Sequence, residues 1–412
     1  MALGSKVAVV GASARAAAFS LLRAGCQVVA ADLFADADLE RACPVTRVEN
    51  YPEDFFLWLS ATKCEGWLYT GALENYSELI DRMSQVRPLW GNAGVVLRQV
   101  RDPLVLQDTL TAAGLSFPET HHSDDFAPSD GKWLHKTGTG GGGSGVSRAE
   151  SKTIPQFRSM GPRPVRKIDR LTGRGPMLRR ISNRRTPLNQ GFWQRHVTGT
   201  PGSGVFLADG RTCELVAVTR QLVGEPWTGA AEFQYCGTLA PWALPTKAVV
   251  ELEAAGRILT NEFDLRGLFG IDFIVDEQRV WVIEVNPRVT AAVEVVELLT
   301  SRNLLAEHLS KCGSEVLSKQ PTAPVVSAHP VQVRGKAILF AQRSITISAA
   351  LSEQLLNEAR GRENSVLADV PQAGTVISTG EPILSLLAEG VDLESVARKL
   401  AEQAALLHPR LQ

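Results

Sequence analysis

The sequence predicts an α/β protein, and three observations carry that prediction. Strand-like and helix-like segments alternate over the first hundred residues, which indicates a parallel sheet flanked by helices. A short strand that ends in a lysine leads into a run of glycines at 138–145. Further along, 270–288 places two apolar runs around a polar turn, as in a β-hairpin. The 412 residues are enough for about two to three domains.

Composition and charge narrow the class of protein. The formal net charge is −1, so the chain as a whole is not attracted to nucleic acid or to an anionic membrane. The six cysteines lie far apart without a CxxC pair, which favours a reducing, cytoplasmic setting over a disulfide framework or a zinc site. No apolar run reaches the ~18 residues of a membrane span.

The first region alternates strictly between strands and helices. The predicted elements are strands at 6–11, 27–31 and 66–70, and helices at 14–24, 53–61 and 73–84. Gly11 opens a helix and Asp32 ends the second strand, which suggests a dinucleotide site. However, the turn reads Gly11-Ala-Ser-Ala-Arg-Ala16 and lacks the second and third glycines of that motif. A nucleotide-fold scaffold used for substrate or for an interface is therefore favoured.

The glycine run has two interpretations. Six of the eight residues from Gly138 to Gly145 are glycine, a composition typical of a flexible linker. Glycine also lets backbone N–H groups surround an anion, and Lys136 would add a positive charge at the loop entrance. The fragment alone leaves both interpretations open.

A basic insertion at 147–186 follows. Between Arg148 and Arg185 there are twelve Lys/Arg and two acidic residues, a surplus of ten positive charges. It is interpreted either as a solvated surface loop or as a lid that clamps a polyanion.

The remaining elements are assigned from periodicity. They are a helix at 102–114, strands at 132–136, 191–197, 203–208, 213–221 and 231–236, a helix at 246–261, a hairpin at 269–286, a helix after Thr290, a linker at 319–330, strands at 336–341 and 375–378, and a helix at 391–406.

The predicted hairpin carries the most informative side chains. Glu284 and Asn286 are two residues apart and share a face, and Asp272 lies on the partner strand. Two carboxylates and an amide oxygen are ligands that Mg²⁺ accepts beside nucleotide phosphates; the alternative is a set of polar residues bonded to nearby basic side chains. Asp272 faces Glu284 only if an odd number of residues joins the strands, most simply 277–279.

In their order along the chain, these motifs resemble the ATP-grasp superfamily of carboxylate–amine ligases. The motifs are the strand, Lys136 and glycine loop, then Gln194–Val197, then the hairpin ending in Asn286-Pro-Arg288. The resemblance implies an N-terminal Rossmann-like (pre-ATP-grasp) domain over 1–100, a two-lobed ATP-grasp domain over 101–310, and a small C-terminal α+β extension over 331–412.

The resemblance also implies a role for each motif. Lys136 would hold the α/β-phosphates of ATP, while the backbone of Arg195 and Val197, with Gln194 beside them, would read the adenine. Arg288 would meet the substrate carboxylate or the transferred phosphoryl group. The glycine loop (Gly140, Gly141, Gly142, Gly143, Ser144) would cover the β/γ-phosphates, and Asp272, Glu284 and Asn286 would hold Mg²⁺ or Mn²⁺. Many members carry an Asp-Lys pair where this chain has Arg101-Asp102-Pro103, so either Arg101 or Arg98 would have to replace that lysine, or the contact is absent.

The activity implied is an ADP-forming amide synthesis through an acylphosphate, on small carboxylate and amine substrates, with a homodimer allowed. A narrower resemblance, carried by 11–20, 32–38, 233–237 and 286–292, is to ATP-grasp proteins of tetrahydromethanopterin- and methanofuran-linked C1 metabolism, such as tyramine–glutamate ligase. Two alternatives stay open: an ATP-binding regulatory protein without turnover, and a polyanion-binding module that uses the basic insertion. Only Phe157 interrupts the insertion's charges as an aromatic residue, which disfavours nucleic acid.

Overall fold

The structure is a computed structural model of the whole chain. It describes residues 6–124, 126, 128, 130–138, 140–149, 191–277, 279–315, 332–360 and 366–411. The predicted linker at 319–330 and nearly all of the basic insertion lie outside the described residues. Among the described residues, no helix is both long and apolar enough to cross a bilayer.

The N-terminal part contains the parallel sheet that the alternation predicts. Its elements are β1 (Lys6–Gly11), α1 (Arg15–Arg23), β2 (Gln27–Asp32), α2 (Ala37–Ala42), β3 (Val45–Arg47), α3 (Asp54–Ala61), β4 (Gly66–Tyr69), α4 (Ser77–Ser84) and α5 (Gly94–Val100). The strand order is β3-β2-β1-β4, with every pair parallel. Val7, Val9, Trp67 and Leu68 are fully buried, because helices cover both faces of such a sheet.

Asp32, the carboxylate that suggested a dinucleotide site, is used inside the fold. It is fully buried and accepts hydrogen bonds from the backbone N–H groups of Ala14 at 2.5 Å and of Phe34 and Ala35 at 2.7 Å. These bonds tie the end of β2 to the start of α1. Burial nevertheless raises the pKa of Asp32 to about 6.

A helix and a small antiparallel sheet of four short strands follow. The elements are α6 (Pro103–Ala112), β5 (Thr120–His122), β6 (Trp133–Lys136), β7 (Val146–Arg148) and β8 (Phe192–Arg195), in the order β5-β8-β6-β7. Asp102 begins α6, since its side chain accepts from the N–H groups of Leu104 and Val105. Lys136 of β6 pairs with Val146 of β7, so the glycine run closes a hairpin and does not link domains.

The rest of the chain builds one eight-stranded sheet. Its elements, with the helices and short strands around it, are β9 (Thr200–Asp209), β10 (Cys213–Val223), β11 (Tyr235–Ala240), α7 (Thr246–Phe263), β12 (Arg266–Asp276), β13 (Arg279–Asn286), α8 (Ala292–Thr300), α9 (Leu304–Lys311), β14 (Val333–Phe340), β15 (Ile345–Thr346), α10 (Ala349–Arg360), β16 (Leu367–Ala368), β17 (Val376–Ile377), β18 (Pro382–Gly390) and α11 (Leu393–Leu407). The order is β13-β12-β9-β10-β11-β14-β18-β16. The C-terminal strands thus extend the sheet that carries the predicted hairpin.

A closed ring of four buried charges joins the three parts of the chain. Arg15 of α1 donates to Asp369 at 2.6 Å and to Glu294 of α8 at 2.7 Å. Lys336 of β14 reaches Glu294 at 2.8 Å and Asp369 at 3.1 Å. Each charge therefore has at least two partners of opposite sign, the arrangement that offsets desolvation.

Several elements differ from the sequence predictions. The helix predicted at 73–84 is broken into a 3₁₀ turn at Leu73–Asn75 and α4, because Tyr76 leaves the helical region at φ −119°, ψ 58°. The strand predicted at 231–236 begins only at Tyr235. The sequence analysis also did not predict several elements: α2, α5, α9, α10, β3, β5, β7, β15, β16 and β18.

Candidate active site

The hairpin places two carboxylates opposite each other, but not through the loop length that the sequence predicts. Asp276 pairs with Arg279, so two positions join the strands and the prediction of an odd-numbered loop is wrong. A β-bulge between Asp272 and Phe273 restores the register, and Asp272 pairs with Glu284. Ile283 is the extra residue, as expected of a bulge.

Asp272 is held by amide side chains as well as facing a second carboxylate. It accepts from Asn286 Nδ2 at 2.9 Å and from Gln221 Nε2 at 3.0 Å. Burial, followed by the charge of Glu284, raises the pKa of Asp272 to about 6. Two facing carboxylates, one of them with a raised pKa, suit a bound cation.

The oxygen donors fit one divalent cation. Asp272 and Glu284 supply hard carboxylate oxygens. Asn286 turns its Nδ2 to Asp272 and its Oδ1 to Arg288, so its amide would have to rotate to add an oxygen ligand. In the part of the chain that the structure describes, no group of three or more His, Cys, Asp and Glu side chains forms a metal site. Mg²⁺ at nucleotide sites is held by one or two carboxylates together with water and phosphate oxygens, and Asp272 and Glu284 could supply those carboxylates.

Lys136 ends β6 on the opposite wall of the same cavity. Its Nζ donates to Gln194 Oε1 at 2.6 Å, and the buried Gln194 in turn donates from Nε2 to Thr120 Oγ1 at 3.3 Å. Burial lowers the pKa of Lys136, while the charges of Glu284 and Asp272 oppose that shift. Gln194 therefore orients the ammonium group and does not simply lie beside a hinge.

The glycine loop lies over this cavity and is anchored at the start of β11. Tyr235 N–H donates to the carbonyl of Gly142 at 2.9 Å. At the loop's far end, Arg148 donates to Glu232 at 2.9 Å and lies over the Phe233 ring. The loop is thus held in a closed position by residues 232–235, a segment that the sequence argument had placed in a strand.

Two arginines line the cavity on the side of the N-terminal sheet. Arg101 donates to Glu284 Oε1 at 3.3 Å and to Asn75 Oδ1 at 2.9 Å. Arg288 donates to Glu74 Oε1 at 2.6 Å and to Asn286 Oδ1 at 3.3 Å. Arg101 consequently lies where the expected lysine is missing, with its guanidinium already facing the carboxylates.

The connection between the two sheets passes through Arg195 and Val197. The backbone N–H of Arg195 donates to the Glu119 carbonyl at 2.8 Å, so it is not a donor for a base. The side chain of Arg195 stacks over Trp133. Both Arg195 and Val197 border the cavity.

The cavity has a volume of about 320 Å³, within the range of small-molecule sites. All fourteen residues singled out from the sequence line it: Arg101, Lys136, Gly140, Gly141, Gly142, Gly143, Ser144, Gln194, Arg195, Val197, Asp272, Glu284, Asn286 and Arg288. Gln221 and Tyr235 also line it. Of these two, only Tyr235 had a sequence signal, since it falls in the segment 233–237.

Residues 100–292 match the family model described as "ATP-grasp domain". These residues are an ATP-grasp domain. The match covers the glycine loop and the hairpin together, and it confirms the family resemblance drawn from the motifs.

Solved structures agree over nearly the whole chain. The N5-carboxyaminoimidazole synthetase of Staphylococcus aureus is 12% identical with a TM-score of 0.63, and 98% of each chain is covered. The L-amino acid ligase of Bacillus licheniformis is 14% identical with the same TM-score and coverage. At these identities the likeness is one of fold, and the predicted ATP-grasp architecture is confirmed.

A curated relative is more similar in sequence over a shorter stretch. An uncharacterized protein of Methanocaldococcus jannaschii is 28% identical over 173 residues. The match covers 42% of this chain and 38% of that relative, so the chain spans well under half of the relative's length.

Proposed function

We propose that the protein is an ATP-dependent, ADP-forming carboxylate–amine ligase. The observation that carries the proposal is the single cavity in which Lys136 and the glycine loop face Asp272, Glu284 and two arginines. Cations and backbone N–H groups on one wall suit a polyphosphate. Carboxylates on the opposite wall suit the divalent cation that accompanies it.

Each residue then has a task in phosphoryl transfer. Lys136, oriented by Gln194, would hold the α/β-phosphates, and the glycine loop would cover the β/γ-phosphates. Asp272, Glu284 and Asn286 would hold Mg²⁺ or Mn²⁺, which when bound neutralises phosphate charge. Arg101 would take the place of the phosphate-binding lysine that many members carry.

The substrate carboxylate would attack the γ-phosphorus of ATP and release ADP. An amine would then attack the acyl carbon of this acylphosphate. Inorganic phosphate leaves, the nitrogen loses a proton, and an amide forms. Arg288 would face the carboxylate or the transferred phosphoryl group, and the closed glycine loop would keep water from the acylphosphate. Positioning and charge neutralisation account for the catalysis, as in other phosphoryl transfers.

The proposal is supported by relatives of the same fold that have related names. They include an N5-carboxyaminoimidazole synthetase of Staphylococcus aureus complexed with ADP and a phosphoribosylglycinamide synthetase of Anaerococcus prevotii. The narrower resemblance to C1-carrier proteins suggests glutamate and tyramine as the first substrates to try. The proposed location of the protein is the cytoplasm.

A trapping screen tests the proposal. Purified protein is incubated with ATP, Mg²⁺, hydroxylamine and single carboxylic acids, and both ADP and hydroxamate are measured. Hydroxylamine replaces the unknown amine, so an acylphosphate of the correct acid gives a hydroxamate in a one-to-one ratio with ADP. ATP binding without ADP release from a broad acid panel would instead indicate a regulatory ATP-binding protein.

A further inference from the structure

The loop after β4 binds both arginines of the candidate active site through residues that lie outside the cavity. Arg288 Nε donates to Glu74 Oε1 at 2.6 Å, and Arg101 Nη2 donates to Asn75 Oδ1 at 2.9 Å. Glu74 and Asn75 are consecutive residues of the 3₁₀ turn Leu73–Asn75. Neither of them lines the cavity itself.

The orientation of Arg288 is set on several sides. Nη1 donates to the Val289 carbonyl at 3.1 Å and Nη2 to Asn286 Oδ1 at 3.3 Å. A Cβ added at Gly71 would lie 3.4 Å from Arg288 Cζ, so the guanidinium packs against that glycine. Of the five N–H groups of an arginine, three are thereby engaged, and the others are left for a ligand in the cavity that Arg288 lines.

The Glu74–Arg288 pair is almost entirely removed from solvent. The side chain of Glu74 is only 2% exposed and that of Arg288 14%. Glu74 Oε2 is buried and has no hydrogen-bond partner among the described residues. Such a pair often contributes less stability than apolar residues would, and Ala72, two residues earlier, has the left-handed φ of 75°, which adds strain. Costs of this kind concentrate at functional sites.

We propose that Glu74 is a positioning residue for the ligase reaction, acting through Arg288. The proposal rests on the proposed function. Its carboxylate fixes the Nε edge of the guanidinium, so that the Nη edge faces the reacting carboxylate or phosphoryl group. The N-terminal sheet thus orients a group of the catalytic hairpin, although it contributes no metal ligand.

A glutamate elsewhere in the fold provides a matched control. Glu297 of α8 is as buried as Glu74, with a side chain 3% exposed, and it is bonded to Arg23 at 2.5 Å. Glu297 and Arg23 do not line the nucleotide cavity. Glu74→Gln and Glu297→Gln therefore remove the same charge from two buried glutamates that are each bonded to an arginine, although Arg23 is 51% exposed and Arg288 only 14%; only Glu74 is bonded to a residue that lines the cavity.

Three measurements are made on both variants with the acid identified by the trapping screen: the melting temperature, kcat with KM, and the affinity for ATP. We expect both substitutions to lower the melting temperature. Glu74→Gln alone should lower kcat, by ~10- to 100-fold, since small displacements of a reacting group cost that much. The affinity for ATP should change by less than about twofold, because Lys136 and the glycine loop would supply most of the contacts to the nucleotide. Equal kcat values for the two variants would overturn the proposal.

A rescue experiment keeps the proposal falsifiable if Glu74→Gln folds poorly. Arg288→Ala leaves a space in front of Glu74, and added guanidinium ion should restore part of its activity because Glu74 still binds it. The double variant Arg288→Ala/Glu74→Asp, with a shorter side chain, should not be rescued. Equal rescue of both variants would overturn the role of Glu74.

The failure of the ligase assignment is separately visible. If the wild-type protein forms no hydroxamate and releases no ADP, the proposed function fails. The Arg288 Nε–H signal in an NMR spectrum then still reports on Glu74: it should exchange slowly with solvent in the wild type and fast in Glu74→Gln. Fast exchange in the wild type would contradict the positioning by Glu74.

Discussion

Alanine substitutions within the glycine loop test whether the loop is held closed over the cavity or is flexible. Gly141 has open space where a Cβ would lie, and its φ is not positive. Gly142 has a φ of 59°, and its Cβ would meet only Tyr235 at 3.9 Å. At Gly143 the φ is 80° and a Cβ would lie 1.8 Å from the Phe233 carbonyl oxygen. The three glycines thus grade from no constraint, to backbone strain, to strain with a clash.

The magnitudes follow from that grading. A left-handed backbone costs an alanine ~1–2 kcal/mol. For Gly142→Ala, the equilibrium constant for closing the loop over the cavity should therefore fall about tenfold. Gly143→Ala adds a clash with the Phe233 carbonyl oxygen, a backbone atom that cannot rotate away. The same equilibrium constant should therefore fall about thirtyfold or more. Gly141→Ala should resemble the wild type.

The assay is nucleotide affinity, by titration with a fluorescent ATP analogue, together with kcat for ADP release. The melting temperatures of the three variants should stay close to each other, because the loop covers a cavity and fills no core. Equal affinities for Gly141→Ala and Gly143→Ala would refute the closed position of the loop.

Four further outcomes are expected. Lys136→Ala and Glu284→Gln should each lose most of the ligase activity while staying folded, which circular dichroism and ADP release would check; wild-type turnover in either would remove its assigned role. His308 is buried and neutral with its pKa lowered to about 4 by burial, against ~6.5 when unfolded, so stability is lost as the pH falls through that window. The free energy of unfolding should fall by about 2 kcal/mol more between about pH 7.5 and about pH 5 than in His308→Gln; equal losses would contradict this account. Arg15→Ala should destabilise the fold by ~3–5 kcal/mol, because it leaves two buried carboxylates short of a partner; chemical denaturation measures it, and a loss below about 1 kcal/mol would contradict the ring. Deleting 150–182 should raise KM for an anionic substrate several-fold and reduce its salt dependence; an unchanged KM would show that the insertion has no catalytic part.

Short-range chemistry explains why much of the site was predictable. Lys136 and the glycines are contiguous, and Glu284 and Asn286 are separated by the period of a strand, so their common face follows from the sequence. The register of Asp272 was not predictable in the same way. It depends on a bulge at Ile283, and the sequence carries no signal that distinguishes a bulge from a longer loop.

Residues brought in from distant segments could not be identified from the sequence. Glu74 lies in what reads as an ordinary helix, and only the fold places it against Arg288, which is 214 positions away. The Arg15–Asp369 contact spans 354 positions. Such pairs are fixed by how the two sheets pack, and a single sequence without an alignment does not encode that packing in any local pattern.

Isotope transfer from the substrate acid tests the central claim most directly. The acid identified by the trapping screen is labelled with ¹⁸O in both carboxylate oxygens and turned over with ATP and an amine, and the released phosphate is analysed by mass spectrometry. Attack of the carboxylate on the γ-phosphorus predicts one ¹⁸O atom in each phosphate formed. Phosphate that is released with the amide but contains no ¹⁸O would contradict an acylphosphate and the ligase mechanism built on it.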